Sequence, residues 1–242
     1  MAWKISPVWG RVGCAGLLVA AAWGIFYPVF DTVRNRARQL VCHGNMKQLM
    51  LGILQYAQDY DGKLPAVNRD EASVTWKTEI MPYVKSESVF MCRSRKDDIK
   101  GKDGLSISYA VNTTGVGRTD GKRGPFAPST KTINLNHFSN AAQIIAFCEV
   151  TRTTSPGFDV DDPFFGPSRQ VLYAGHEGWS SFAFLDGHVK SIAPLDTAHG
   201  AVTNGASETT MWYIDGSKPL SNNGLRILSS TENAFRDNDE GN

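Results

Sequence analysis

The sequence has almost no net charge, and its first thirty residues contain no acidic side chain. Over 242 residues, 25 lysines and arginines stand against 24 aspartates and glutamates, which gives a formal net charge of +1. Domains that bind nucleic acids usually carry a clear basic excess. We therefore expect no nucleic-acid partner. The length is sufficient for one domain with a buried core and a further N-terminal segment.

Cysteine is scarce, and its spacing matches no common metal motif. The four cysteines are Cys14, Cys42, Cys92 and Cys148. No two of them are two to four residues apart, as the ligands of structural zinc sites are. Cys14 lies inside an apolar run and is not expected to pair with the others. Cys42 and Cys92 could form one disulfide if this part of the chain folds outside the cytoplasm, and the sequence alone does not decide this.

Signatures of a catalytic nucleophile are also missing. There is no Gly-x-Ser-x-Gly motif, which marks the nucleophile turn of many serine hydrolases. Cys148 lies in a strongly apolar segment, where the thiolate form is disfavoured. We therefore expect a protein that is not an enzyme and that needs no cofactor.

The chain does contain an uncharged run at residues 12–30. As a helix this run would be about 29 Å long, close to the thickness of the hydrocarbon layer of a bilayer. Lys4 and Arg11 make residues 1–11 a basic leader. A secretory signal peptide is the alternative, but the run is longer than a signal core of about 7–15 residues. We predict a retained transmembrane anchor.

The helix is predicted to continue to residue 60. Asp61-Gly62 and Pro65 are expected to end it. Residues 12–60 are thus predicted to form one transmembrane and amphipathic stalk helix. Apolar residues recur with helical spacing at Met46, Leu49, Met50, Ile53, Leu54, Ala57 and Tyr60.

Residues 61–228 are predicted to form an α+β head. Residues 74–84 indicate a short helix, and the alternation over residues 105–112 indicates a half-buried strand. Residues 143–150 are the most apolar segment and predict a central strand. Asp186-Gly187 predicts a β-hairpin with a type I′ turn, in which both residues have a positive φ. The polar residues 229–242 are predicted to be a disordered tail.

Two short motifs resemble a large bacterial family of pilin-like proteins with a prepilin-type N-terminal segment. The first is CHGNMKQL, which begins at Cys42, followed by YAQDYDGKLP, which ends at Pro65. The second is a histidine followed after nine residues by Asp-Gly, here His176 and Asp186-Gly187. Both motifs occur in the family's order, within a resemblance that extends over roughly residues 34–193.

The resemblance implies a pilin-like α+β fold, with a long N-terminal transmembrane helix packed on an antiparallel β-sheet head. It also implies a single-pass protein of the cytoplasmic membrane whose head is extracytoplasmic. Its partners would be membrane lipid and other pilin-like subunits. Arg34, Arg36 and Arg38 follow the apolar run and by themselves favour a cytoplasmic head. We give the resemblance more weight, because a basic excess of this size is only a tendency.

The N-terminus departs from the family pattern. Prepilins are cleaved after a glycine, and a glutamate lies five residues into the apolar run that follows. Gly10, Gly13 and Gly16 are the candidate cleavage sites, but no acidic residue precedes Asp31. The missing glutamate favours an anchored or minor subunit over a major filament subunit.

The histidine and Asp-Gly of the head motif allow two interpretations. His176 and Asp186 could be an acid–base or metal-binding pair. The structural interpretation is favoured, because an aspartate at a hairpin tip satisfies the turn backbone and Gly187 supplies the turn geometry. Asp159, Asp161 and Asp162 are weak calcium candidates, since calcium prefers several oxygen ligands.

Together, these features predict a structural or assembly subunit of a type II secretion or type IV pilus-like system. The alternative is a membrane-anchored, extracytoplasmic binding module for carbohydrate or protein that uses the same scaffold without forming filaments. Aromatic residues of the head would form its recognition surface, namely Trp76, Trp179, Trp212, Phe158, Phe164 and Phe165.

Overall fold

A computed structural model describes most of the chain, and the statements below concern the described residues. These are residues 7–68, 74–95, 99–114, 124–127, 132–151, 157–158, 172–176, 178–198, 210–212, 225–231 and 233.

The chain divides into two compact units, residues 1–40 and 41–242. The long helix α1, Pro7–Asp59, contributes to both. The helix itself ends at Asp59, next to the predicted end of the stalk helix at residue 60. Residues 41–59 belong to the second unit, because their apolar face is part of its core.

The predicted transmembrane anchor at residues 12–30 is not supported. In the part of the chain that the structure describes, no helix is both long enough and apolar enough to cross a membrane.

Helix α1 ends where the sequence predicts. Asp61 and Gly62 have positive φ angles of 54° and 80°, which turn the chain out of the helix. The N–H of Gly62 donates to the carbonyl of Ala57 at 2.7 Å and so satisfies one of the last helical carbonyls. A side chain at Gly62 would collide with Asn134, which makes glycine necessary here.

The head contains one five-stranded sheet. Its strands are β1 Tyr109–Asn112, β2 Ile145–Glu149, β3 Gly157–Phe158, β4 Ser180–Phe184 and β5 Val189–Ile192. Their order is β3-β1-β2-β4-β5. The pairs β1–β2, β2–β4 and β4–β5 are antiparallel, and only the short β3 pairs in parallel, with β1. The α+β class and the central place of the most apolar segment are confirmed.

Both faces of the sheet carry a hydrophobic core. The residues of β1, β2 and β4 are divided between two separate clusters. The first joins α1 and α2 (Trp76–Val84) to the sheet through Met46, Leu49, Met50, Ile53, Trp76, Tyr109, Val111, Phe147 and Ala183. The second includes Ile107, Ala110, Cys148, Phe182, Trp212 and Leu228.

The second core explains why the prediction of a half-buried strand at residues 105–112 is wrong. Every residue of this segment is buried, including Ser106 and Ser108. Alternation of polar and apolar residues normally marks a strand with one wet face. Here the small serines lie in the interior. Alternation alone does not show whether the polar residues of a strand are buried or exposed.

The hairpin around Asp186-Gly187 is present, but its turn differs from the predicted one. Only Gly187 has a positive φ (98°), whereas a type I′ turn requires two such residues. The N–H of Gly187 donates to Phe184 O, and that of Phe184 donates to His188 O, each at 2.9 Å. The strands are therefore joined by a longer loop over residues 185–188.

The C-terminal boundary of the head also differs from the prediction. Residues 225–231 are helical, so the helix extends past residue 228 into the predicted tail. Ile227, Leu228 and Thr231 are buried. The remaining residues from 234 onward lie outside the described part.

A buried ion pair attaches α2 to the loop before β1. Lys77 Nζ lies 3.0 Å from Asp103 Oδ2, and both side chains are 1% exposed. Asp103 also accepts hydrogen bonds from the Thr75 hydroxyl at 2.6 Å and the Leu105 N–H at 3.0 Å. Burial lowers the pKa of Lys77, and the hydrogen bond and charge of Asp103 oppose this shift.

Replacing Asp103 with asparagine tests this pair. Asp103→Asn is expected to lower the free energy of unfolding by about 3 kcal/mol, because it leaves the Lys77 charge buried without its carboxylate. Urea unfolding at neutral pH measures the loss. Asp196→Asn, at an exposed position, is the control and is expected to change stability by less than about 0.5 kcal/mol. A loss below about 1 kcal/mol for Asp103→Asn would contradict the role assigned to the pair.

Candidate functional site

Four buried side chains from four separate segments meet beside the sheet. Cys42 comes from α1, Cys92 from the segment after α2, Glu149 from the end of β2, and His176 from the turn before β4. Their ligand atoms all lie within 4.8 Å of one another. We call these four residues the buried cluster. It is the one group of metal-ligating side chains found among the described residues.

Two members of the buried cluster form a disulfide. Cys42 and Cys92 are bonded, with their Cα atoms 5.2 Å apart and a sequence separation of 50. Both residues are 0% exposed. The bond connects α1 to the segment that follows α2. Because it is fully buried, a thiol in solution cannot reach its sulfurs without local opening of the head.

The other two members form a buried acid–imidazole pair. His176 Nε2 lies 3.1 Å from Oε2 and 3.4 Å from Oε1 of Glu149. The side chains are 3% and 0% exposed. Burial of a carboxylate is costly unless it has a polar partner, and the His176 imidazole lies within hydrogen-bonding distance of it.

The local structure places these two groups facing each other. Glu149 is the last residue of β2 and pairs with Tyr109 of β1. His176 lies in a tight turn, in which Gly178 has a φ of 82° and Trp179 N–H donates to His176 O at 3.1 Å. The Tyr173 ring packs edge-on against the His176 ring. The turn therefore presents His176 to the end of β2.

The charge of Glu149 affects neighbouring acids. Burial, together with that charge, raises the pKa of Tyr109 well above its usual value. The same two causes, burial first, raise the pKa of the Cys148 thiol. Cys148 is free and buried, so it remains a neutral thiol and is poorly suited to act as a nucleophile.

His43, next to Cys42, links α1 to two strands. Its Nε2 lies 3.1 Å from the Ser181 hydroxyl of β4 and 2.8 Å from the Ser191 hydroxyl of β5. Burial lowers the pKa of His43; the charge of Glu149 opposes this, and His176 and Lys47 add to it. The neutral imidazole is therefore favoured in the folded protein.

The two predicted motif residues His176 and Asp186 do not form a pair with each other. His176 pairs with Glu149, whereas Asp186 Oδ1 lies 2.6 Å from His188 Nδ1 and accepts a hydrogen bond from the His188 N–H at 3.1 Å. The Asp186–His188 pair is partly exposed. These contacts agree with the structural interpretation of Asp186 as a residue that holds its loop.

The remaining predicted site residues are located as follows. Gly10, Gly13 and Gly16 all lie within α1. Asp159, Asp161 and Asp162, the weak calcium candidates, lie outside the described residues.

Glu149 is the member of the site that the sequence reasoning missed. A signal was present, since Glu149 is the only acidic residue in the most apolar segment of the head. Acidic residues are seldom fully buried unless they are paired, so an acid in a predicted central strand calls for a buried partner. The sequence does not show that this partner is His176, which lies 27 positions further on.

With the disulfide closed, the buried cluster offers no free thiol. The disulfide cross-links two segments, and the acid–imidazole pair is closed to solvent. Among the described residues, the cluster therefore joins four segments of the head through one covalent bond and one polar pair.

The disulfide is expected to contribute strongly to stability. The double variant Cys42→Ala/Cys92→Ala should lose about 4 kcal/mol of unfolding free energy, because a closed loop of this length restricts the unfolded chain. Urea unfolding of the oxidised protein and of the variant measures the difference. Cys148→Ala, which removes a buried thiol without a cross-link, is the control and should lose clearly less. Equal losses would show that cavity formation, and not the cross-link, is responsible.

His43 is expected to make stability depend on pH. Burial lowers the pKa of His43 in the folded protein below the ordinary histidine value of 6.5, so the unfolded state binds the proton first as the pH falls. Unfolding free energy should therefore decrease as the pH drops below about 6.5, and the decrease should end at the lowered folded pKa. His43→Gln should flatten this part of the curve in urea titrations between pH 8 and pH 5. The stability of His43→Gln at pH 8, where histidine is neutral in both states, reports only the loss of the His43 hydrogen bonds. A slope of unfolding free energy against pH that is the same in the variant and the original protein would contradict the assignment.

Comparison with known proteins gives one match. Residues 31–90, about a quarter of the chain, are similar to a family described as a protein of unknown function (DUF1559). The matched segment contains Cys42 and the whole of the first motif. No curated protein and no solved structure matches the chain.

Proposed function

We propose that this protein is a pilin-like, extracytoplasmic structural or assembly subunit that contacts other pilin-like subunits through its N-terminal helix. It belongs, on this proposal, to a type II secretion or type IV pilus-like system at the cytoplasmic membrane. Its role is mechanical and not enzymatic.

The observation that carries this proposal is a set of large, exposed apolar side chains on α1. Trp23 and Tyr27, one helical turn apart, are 69% and 72% exposed, and Val33 and Leu40 are exposed as well. Large aromatic side chains in water are costly, and an exposed group of them typically marks an interaction surface. Gly16 and Gly24 leave open space along the same helix, which permits close approach of a second helix.

The fold and the family match support the pilin-like part of the proposal. A long N-terminal helix packs its second half on a mainly antiparallel sheet. The match to residues 31–90 covers the helix and loop segment in which the first motif lies.

The disulfide supports the extracytoplasmic part. Disulfides persist in oxidising compartments and are rare in the cytoplasm. The Cys42–Cys92 bond links the helix covalently to the head. A head exported in this form therefore stays attached to the helix when a pulling force acts on the helix.

Contact with membrane lipid is proposed from Trp23, Tyr27 and the arginines that follow them on α1. Tryptophan and tyrosine favour the boundary between lipid and water, and Arg34, Arg36 and Arg38 are exposed just beyond them on α1. Arginines at that level can contact lipid phosphates.

The alternative, an extracytoplasmic binding module, has less support from the described residues. Trp76 and Trp212 are 0% exposed and belong to the two cores, so they cannot form a recognition surface. Trp179 is 47% exposed and is the one candidate tryptophan of the head that remains. Phe164 and Phe165 lie outside the described residues.

Site-specific photo-cross-linking in the native membrane tests the proposal. A photo-reactive residue at position 23 or 27 should produce cross-links to a second copy or to other pilin-like subunits. The same residue at position 179, which is exposed on the head, is the matched control and should not. Mass spectrometry of the cross-linked protein also identifies its N-terminus, with a start after Gly10, Gly13 or Gly16 expected for a processed subunit.

Two results would refute the assembly role. The first is the absence of protein cross-links from positions 23 and 27 in membranes that contain the protein at its natural level. The second is cross-linking from position 179 alone to a carbohydrate or protein ligand, which would favour the binding module instead.

A further inference from the structure

The buried cluster has nearly the dimensions of a tetrahedral metal site. Its four ligand atoms lie within 4.8 Å of one another. In a tetrahedral zinc site, bonds of about 2.0–2.3 Å place the ligand atoms about 3.3–3.8 Å apart. The most distant pair therefore needs to approach by about 1 Å, and the two sulfurs, which are bonded to each other in the disulfide, must move apart after reduction.

The donor types suit zinc. Two cysteine sulfurs, one imidazole nitrogen and one carboxylate oxygen form a set in which sulfur and nitrogen predominate. Thiolate and imidazole ligands favour Zn²⁺, whereas Ca²⁺ and Mg²⁺ prefer oxygen ligands alone. Four protein ligands with no open position are typical of a structural zinc site.

One atom of the cluster lacks a hydrogen bond. Among the described residues, Glu149 Oε2 is fully buried and has no hydrogen-bond partner of good geometry, although His176 Nε2 lies 3.1 Å away. A buried oxygen without a hydrogen bond is unfavourable, because it has lost its contacts with water. A cation between Glu149, His176 and the two sulfurs would satisfy it.

We propose that reduction of the Cys42–Cys92 disulfide converts the buried cluster into a Zn²⁺ site with Cys42, Cys92, Glu149 and His176 as its ligands. A dithiol reductant transfers two electrons and two protons to the sulfur–sulfur bond, and the reductant itself is oxidised to a disulfide. Two protein thiols result. Zn²⁺ then displaces both thiol protons, which are released to solvent.

The disulfide and the metal exclude each other at this place. A closed disulfide offers no thiolate, and zinc-bound thiolates are protected from forming the disulfide. Either bond fastens α1 through Cys42 to the segment of Cys92, while zinc also holds the end of β2 and the turn of His176. The reduced head therefore retains a cross-link before it meets an oxidising compartment.

Cobalt binding to the full chain tests this inference. The protein is prepared with Cys14→Ser and Cys148→Ala, so that the cluster contains its only thiols. One portion is reduced with a dithiol, which is then removed under nitrogen, and the other portion remains oxidised. Both are titrated with Co²⁺, whose absorption reports thiolate ligation and tetrahedral geometry, and then with Zn²⁺ as competitor. Circular dichroism follows the fold throughout.

The reduced protein should bind one Co²⁺ with thiolate-to-cobalt absorption, and Zn²⁺ should displace it. The oxidised protein should show no such absorption. Glu149→Gln and His176→Ala should each weaken binding at least about tenfold. His188→Ala, which removes a partly exposed imidazole outside the cluster, is the control and should leave binding unchanged.

Three results would overturn the inference, and each is readable in the same titration. They are no cobalt absorption in the reduced protein, equal affinity in the oxidised protein, and unchanged affinity in both Glu149→Gln and His176→Ala. If reduction unfolds the head, Zn²⁺ must restore the folded spectrum, and binding to a chain that stays unfolded would also refute the site. None of these outcomes depends on assembly through the N-terminal helix.

Discussion

Burial of one face of α1 against the sheet is the constraint on which the rest of the head depends. Met46, Leu49, Met50 and Ile53 are fully buried there, in contact with residues of β1, β2 and β4. This packing sets the rotation of the helix about its axis. It thereby directs Cys42 toward Cys92 and His43 toward the serines of β4 and β5.

The polar groups of the interior reinforce this packing at the places where segments join. Lys77 and Asp103 join α2 to the loop before β1, and Glu149 and His176 join β2 to the turn before β4. A buried polar or charged group is tolerated only while its partner is present. Each pair thus favours one arrangement of its segments over the alternatives, at the cost of removing polar groups from water.

Much of the fold could be predicted because it depends on local patterns. The end of α1 at Asp61-Gly62, the helix α2, the central strand β2 and the hairpin of β4 and β5 all follow from periodicity and turn residues. The burial of residues 105–112 could not be predicted, since it depends on a second core formed by Trp212 and Leu228, about a hundred residues later. The turn at Asp186-Gly187 also differs, because the strand register leaves a longer loop.

The sequence by itself determined the class of the fold, the long N-terminal helix and the candidate pairing of Cys42 with Cys92. Hydrophobic periodicity and turn residues act over a few positions, so both can be recognised in the sequence. Only the tertiary structure decided that Glu149 and His176 join those cysteines in one buried cluster. Its members are contributed by four segments, and the spacing of ligands along the chain carries no information about contacts that arise when distant segments pack together.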